Sequence, residues 1–412
     1  MSAGAPAARR RSLGEVGRVV GVAAAGGASA FLWVAVACQL LSITAYLLTG
    51  TRDLVTWVRV GLLASVLSLR SAVEMRLPGI PGFREPSSPI EVSLVFVPML
   101  LTVAFVWLCG RAGRRAADQR AGGSRLPTVA LAGAGAAIAA ALLAGLVAVP
   151  VRLSLPVFGA RIDADPVNAA VWGFALAAIA AGLGAAIRLS GHAAAGRAIR
   201  GGFVAYGWAL LLLAVGVVAI AAFEPAATRA YVRWLRDAGP VGPAVFGVHV
   251  LALPTQSALL AAPASGACLD LVAGSPALEL CPWSLDPGSV GAAFLPARTA
   301  LSPWLWALST VPPIAAFIGG RRAALALTGR RAVALGAASG LAFAVTVVAG
   351  AWFAIPSMDG RAPALVPLTL RIDWPWLVAA AAAWGLVGGA VGGWLEGRGY
   401  AEEPEPPRRT SV

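Results

Sequence analysis

The sequence predicts an all-α polytopic membrane helix bundle, with about eight full transmembrane helices plus two re-entrant or interfacial half-helices, built from two parallel internal repeats. Three observations predict it: an apolar composition, a series of apolar runs long enough to cross a bilayer, and short matches between the two halves of the chain. Hydrophobic residues make up 58% of the chain and charged residues 12%, and the mean hydropathy is +0.79. A soluble domain of this composition could not present an adequately polar surface, so the bilayer must be the solvent. The 32 basic residues are all arginine and outnumber the 19 acidic ones, for a net charge of +13. In a soluble protein that charge would point to nucleic acid. Here the arginines fall in short stretches between apolar runs, with no basic stripe interleaved with stacking aromatics, so topology accounts for them and nucleic acid is not expected as a partner.

A crossing helix needs about 20 apolar residues. The stretches that meet this test, in order, are 19–48, 90–109, 127–150, 167–187, 201–223, 300–319, 332–355 and 375–395. Residues 1–18 hold Arg9, Arg10, Arg11 and Arg18 and read as a cytoplasmic tail. Three later connections are equally basic: Arg111, Arg114, Arg115, Arg120 and Arg125 in the first, Arg188, Arg197 and Arg200 in the second, and Arg321, Arg322, Arg330 and Arg331 in the third. The remaining connections balance their charges. The positive-inside rule therefore places both termini and the arginine connections in the cytoplasm of a cell-membrane protein. The first span is too long for a cleaved signal peptide and reads as an anchor. The domain plan that follows has membrane repeat 1 over 19–187, a cytoplasmic linker over 188–200, and membrane repeat 2 over 201–395 with an extracytoplasmic insertion at 263–300. Residues 396–412, rich in proline and glutamate, read as a cytoplasmic tail without fixed structure.

Two further apolar stretches, 53–74 and 241–262, fit this topology only as segments that enter and return, or that lie along the interface. The first carries Arg59, and the second is interrupted by Pro254 and carries His249. Ionisable groups at membrane depth are costly and mark pathways. Arg59 and His249, with Gln39 and Gln256, therefore form the candidate intramembrane polar site. The plainer account has Arg59 snorkelling to the interface, His249 bonded to a neighbouring carbonyl, and the two glutamines joining helices.

The repeat rests on three matches in the same order. Gly26-Gly27 with its following aromatic and tryptophan matches Gly201-Gly202, Gly110-Arg111 matches Gly320-Arg321, and Arg161-Ile162-Asp163 matches Arg371-Ile372-Asp373. Each half then crosses four times, and the halves share an orientation about an axis along the membrane normal. The insertion at 263–300 carries Cys268 and Cys281, which on an oxidising face either close a disulfide or remain thiols. Cys38 and Cys109 lie within spans as small packing residues. Gly388 with Gly392, and Gly389 with Gly393, prepare a helix face for close backbone approach.

Chemistry-bearing motifs are scarce. With no lysine there is no P-loop, and with His192 and His249 as the only histidines there is no H-E-x-x-H zinc motif and no metal site to assign. No cofactor is expected, and no catalytic residue can be named. The layout of a long first span, an amphipathic half-helix, a span running into Gly110-Arg111-Ala112-Gly113-Arg114-Arg115, and later Val248-His249-Val250-Leu251-Ala252-Leu253-Pro254-Thr255-Gln256 resembles the actinobacterial PerM-type family. The resemblance implies a permease-like integral membrane protein associated with cell division: a non-enzymatic scaffold whose partners are the lipid bilayer and other membrane proteins. The alternative class is a small-molecule transporter or channel with its site between the repeats. Transport predicts a wet cavity lined by Arg59, His249, Gln39 or Gln256, and a scaffold predicts an apolar groove facing lipid.

Overall fold

The computed structural model of the chain describes residues 5–49, 53–77, 90–95, 97–119, 125–155, 160–190, 194–223, 225–237, 241–273, 278–280, 303–360 and 368–399. Long helix α1 (Ala5–Thr49) is followed by a short helix α2 (Leu54–Leu67) and by strands β1 (Val73–Leu77) and β2 (Ile90–Val95). Helices α3 (Met99–Asp118) and α4 (Arg125–Ala148), a hairpin of β3 (Arg152–Leu155) and β4 (Ala160–Ala164), and α5 (Pro166–Ser190) complete the first half. The second half runs through α6 (Ala194–Phe223), α7 (Pro225–Asp237), α8 (Val241–Ser265), β5 (Leu269–Ala273) and β6 (Leu278–Leu280). A 3-10 turn (Pro303–Thr310), α9 (Val311–Ala324), α10 (Gly329–Ala354), β7 (Ser357–Gly360), β8 (Leu368–Ile372) and α11 (Trp374–Gly399) end it.

Six of these helices, α1, α4, α5, α6, α10 and α11, are long and apolar enough to cross a membrane among the described residues. The multi-pass helical reading holds, but two of the eight expected spans are displaced. Instead of a helix over 90–109, residues 90–95 form β2 and the helix runs from Met99 to Asp118, taking in Arg111, Arg114 and Arg115. The cause is legible: Ile90-Glu91-Val92-Ser93-Leu94-Val95 alternates with period two, and Pro98 at the cap forces a fresh helix start. Likewise 300–319 divides into the 3-10 turn and α9, whose Pro312 and Pro313 sit in the first turn, where a missing N–H costs nothing.

The sequence reading did not anticipate a sheet. The four connections at one end of the bundle pair into a single antiparallel sheet of eight strands, ordered β3-β4-β1-β2-β7-β8-β5-β6. Each connection is too short to bury a core alone, but together they satisfy their backbone groups laterally. The seam between the halves is β2 against β7, with Ser93 opposite Asp359. Cys268, just before β5, is disulfide-bonded. Its neighbour Leu269 pairs with Leu280, and Cys281 lies outside the described residues. Cys38 and Cys109 are buried free thiols.

The two halves build separate cores. One gathers Phe31, Val34, Leu69, Phe105 and a run of alanines from α1 to α5; the other gathers Leu213, Phe343, Val347 and Leu377 from α6 to α11. In the first half α1 packs on α3 and α4, and α5 on α3 and α4; in the second, α6 packs on α9 and α10, and α11 on α9 and α10. The paired glycines set the closest approaches. A Cβ on Gly27 would run into the backbone of Ala136, and one on Gly202 into that of Ala342. Small residues allow this intimacy in lipid, where helix association depends on van der Waals packing.

Candidate functional site

The four polar residues singled out from the sequence lie on three helices, Gln39 on α1, Arg59 on α2, and His249 and Gln256 on α8. Asp53 caps α2, accepting from the Thr56 N–H at 3.1 Å. The Thr56 hydroxyl and amide hold its carboxyl below the usual carboxylate range. Gln39 Nε2 then donates to the Val58 carbonyl at 3.0 Å, and Ser42 Oγ donates to the Trp57 carbonyl, fastening α2 along α1. The neighbouring Arg59 is exposed. On α8, His249 is exposed and its Nδ1 meets the Tyr231 hydroxyl of α7 at 2.9 Å, with the two rings edge to face. Gln256 is half-buried on the same helix. Gln39 thus joins α1 to α2, and His249 helps hold α7 to α8.

The residue before Gln256 on α8 has a clearer task. Pro98, at the head of α3, provides no side-chain cap. Thr255 Oγ1 accepts from the Met99 N–H at 3.1 Å and donates to the Val97 carbonyl at 2.5 Å, so a residue of the second half caps a helix of the first.

A wide concavity lies between the halves. A cleft of about 1100 Å³ is walled by α3 and α5 on one side and by α6, α9 and α10 on the other. Its volume lies just above the range of ordinary ligand pockets, about 300–1,000 Å³. The walls are apolar and open sideways: Val103 is 44% exposed, Trp107 61%, Ile179 63% and Phe203 44%. None of Arg59, His249, Gln39 or Gln256 lines it. Deeper in, Tyr206 reaches it with a hydroxyl that is buried and unbonded among the described residues. Toward the sheet, Met99, Leu176 and Phe353 close it, continuous with an apolar cluster that includes Val97 and Ala258.

At the opposite end, away from the sheet, five arginines line the mouth: Arg111, Arg114, Arg197, Arg200 and Arg322. Arg197 donates to the Leu325 carbonyl and Arg200 to the Ile187 carbonyl, each at 3.1 Å. Both satisfy C-terminal carbonyls that their helices leave open. Arg111 lies over the Trp107 ring at 5.7 Å. The lining contains no carboxylate. The acids nearby are engaged elsewhere, Asp118 with Arg188 at 2.5 Å and Glu396 with Arg321 at 2.9 Å.

One further cation escaped sequence reasoning. Arg70 ends the turn after α2 in the left-handed region, with φ of 65°. Its guanidinium carbon lies 4.1 Å from the Trp352 ring centre, 5.2 Å from Trp172 and 5.6 Å from Phe353. Those rings come from α5 and α10, so this aromatic cage also bridges the halves, at the sheet end. No local motif announces it, since its partners lie far away in sequence.

Fold and site together define a multi-pass α-helical membrane protein with an apolar cleft that opens sideways between two half-bundles and carries a cationic mouth. Compared with known proteins, the chain matches no family model, no curated protein and no solved structure.

Proposed function

We propose that this chain is a multi-pass protein of a bacterial cytoplasmic membrane and that it acts as a non-enzymatic scaffold or accessory factor, with the cleft between the halves as its working surface. The carrying observation is the character of that cleft: apolar, open toward lipid, and free of the four residues a transport site was expected to use. The resemblance to the PerM-type family adds a role in envelope assembly or cell division, with other membrane proteins as partners.

The proposal includes eight crossings in two parallel repeats. Helix α3 spans 20 residues, about 30 Å of rise, with its apolar turns Met99–Gly110 in the membrane and its arginine-bearing turns at the headgroups. The 3-10 turn and α9 together extend about 37 Å. The repeats are supported by the matching helix packing and by a strand order in which β3-β4-β1-β2 is followed by β7-β8-β5-β6. The arginine-rich end is then cytoplasmic, with both termini, and the sheet is outside.

A transporter is the second reading, favoured by the five arginines at the mouth of the cleft and by Arg70 behind Phe353 at its sheet end. Proteoliposome flux across candidate solutes with the wild type, Arg70→Ala and Arg322→Ala, run beside co-purification from the native membrane, separates the two. A scaffold gives no flux and a specific membrane partner retained by both variants; flux abolished by either substitution would make the protein a transporter.

A further inference from the structure

We propose that the cleft holds an anionic phospholipid, its phosphate headgroup on Arg111, Arg114 and Arg322 and its acyl chains along the wall of Val103, Trp107, Ile179 and Phe203. The inference deepens the reading of the cleft as the working surface, and rests on it.

Charge complementarity carries the argument. Five guanidiniums converge on one mouth with no carboxylate in the lining, and the nearby acids are already paired with Arg188 and Arg321, outside the cleft. Arg197 and Arg200 are tethered to helix ends. Arg114 and Arg322 are exposed, with no hydrogen bond or ion pair to the protein among the described residues, and Arg111 only stacks on Trp107. Clustered arginines without acids need an anion, and planar guanidiniums suit phosphate oxygens.

The rest of the cleft says that the anion carries apolar chains. Along α3 the lining runs from Arg114 to Met99, about 22 Å at 1.5 Å per residue. That depth exceeds one leaflet, about half of the ~30 Å hydrocarbon core. A soluble phosphate would leave this length of apolar wall unfilled, whereas a lipid enters sideways past Trp107 and Ile179 without leaving the membrane. Basic pockets between helices on the cytoplasmic side recognise anionic headgroups in this way.

The test uses the full-length protein reconstituted in phosphatidylcholine vesicles containing a minority of phosphatidylglycerol, with retained lipid read by native mass spectrometry. Wild type should keep phosphatidylglycerol in preference to phosphatidylcholine. The triple variant Arg111→Gln, Arg114→Gln, Arg322→Gln should lose that preference by on the order of a hundredfold, as the removal of three membrane-surface charges implies. The same three changed to lysine should keep most of it, which separates lost charge from misfolding. Arg115→Gln, at the same end but outside the cleft and holding no acid among the described residues, should leave it unchanged. Equal retention of the two lipids by wild type, or an unaltered preference in the glutamine triple, overturns the proposal. So does displacement of phosphatidylglycerol by soluble glycerol phosphate, which would make this a free-phosphate site. Gly207→Trp fills the cleft from a position where an added Cβ meets nothing within 4 Å. If it expels both lipids alike and wild type shows no preference, the cleft still takes apolar chains and only the headgroup assignment fails. If it expels neither, the reading of the cleft fails with it.

Discussion

At the residue scale, Arg70 is placed at a local cost to the backbone. A non-glycine residue with φ of 65° is held against backbone preference, and the compensation is the cage of Trp172, Trp352 and Phe353. Arg70→Ala should lower stability by about 1–2 kcal/mol, the worth of a partly desolvated cation over aromatic rings. Arg70→Gly should lie about 1 kcal/mol above the alanine variant, because glycine alone escapes the left-handed penalty. Thermal unfolding in detergent reads both, and an alanine variant as stable as wild type would remove the cage from the account. Arg59, the cation that stood out in the sequence, is exposed beside a Gln39 bond that uses a backbone carbonyl. Sequence reasoning marked an arginine in an apolar run; it could not tell which arginine would meet aromatics roughly a hundred and nearly three hundred residues away.

At the element scale, helices pack as closely as their small residues permit. Gly388 and Gly392 face α9, where added Cβ atoms would meet Pro313 and Phe317, while Gly389 and Gly393 face α10. The tightest crossing is Gly340 against Gly385, where a Cβ on either would overlap the other's backbone. Gly340→Ala should destabilise the protein by about 1–3 kcal/mol through overpacking. Gly21→Ala, at a position with nothing within 4 Å, should be neutral or stabilising by up to about 1 kcal/mol from helix propensity. Unfolding of the two variants in the same detergent checks the contrast, and equal effects would show that α10 and α11 can separate at no cost. The glycine spacing was readable because a helix presents every fourth residue on one face. The strand β2 was misread because a hydropathy window averages over the period that distinguishes a strand from a helix.

At the scale of the whole molecule, the sheet and the arginines lie at opposite ends, and this polarity can be tested directly. With Cys38 and Cys109 buried and Cys268 bonded, a single introduced cysteine reports its side. An impermeant maleimide applied to intact cells should label Arg161→Cys on β4, and should label Arg330→Cys, in the first turn of α10, only after permeabilisation. The reverse pattern would invert the proposed orientation.

The sequence by itself determined that this chain lives in a bilayer, roughly where its helices run and which connections carry the positive charge, because hydropathy and charge belong to each segment alone. Only the tertiary structure decided that the connections pair into one sheet, that Thr255 caps a helix of the other half, that Arg70 sits among aromatics, and that five arginines line one cleft. Each of these depends on pairs of groups brought together from distant parts of the chain. Local composition fixes how a segment partitions between water and lipid; it does not fix which partner satisfies a strand edge, a helix end or a cation.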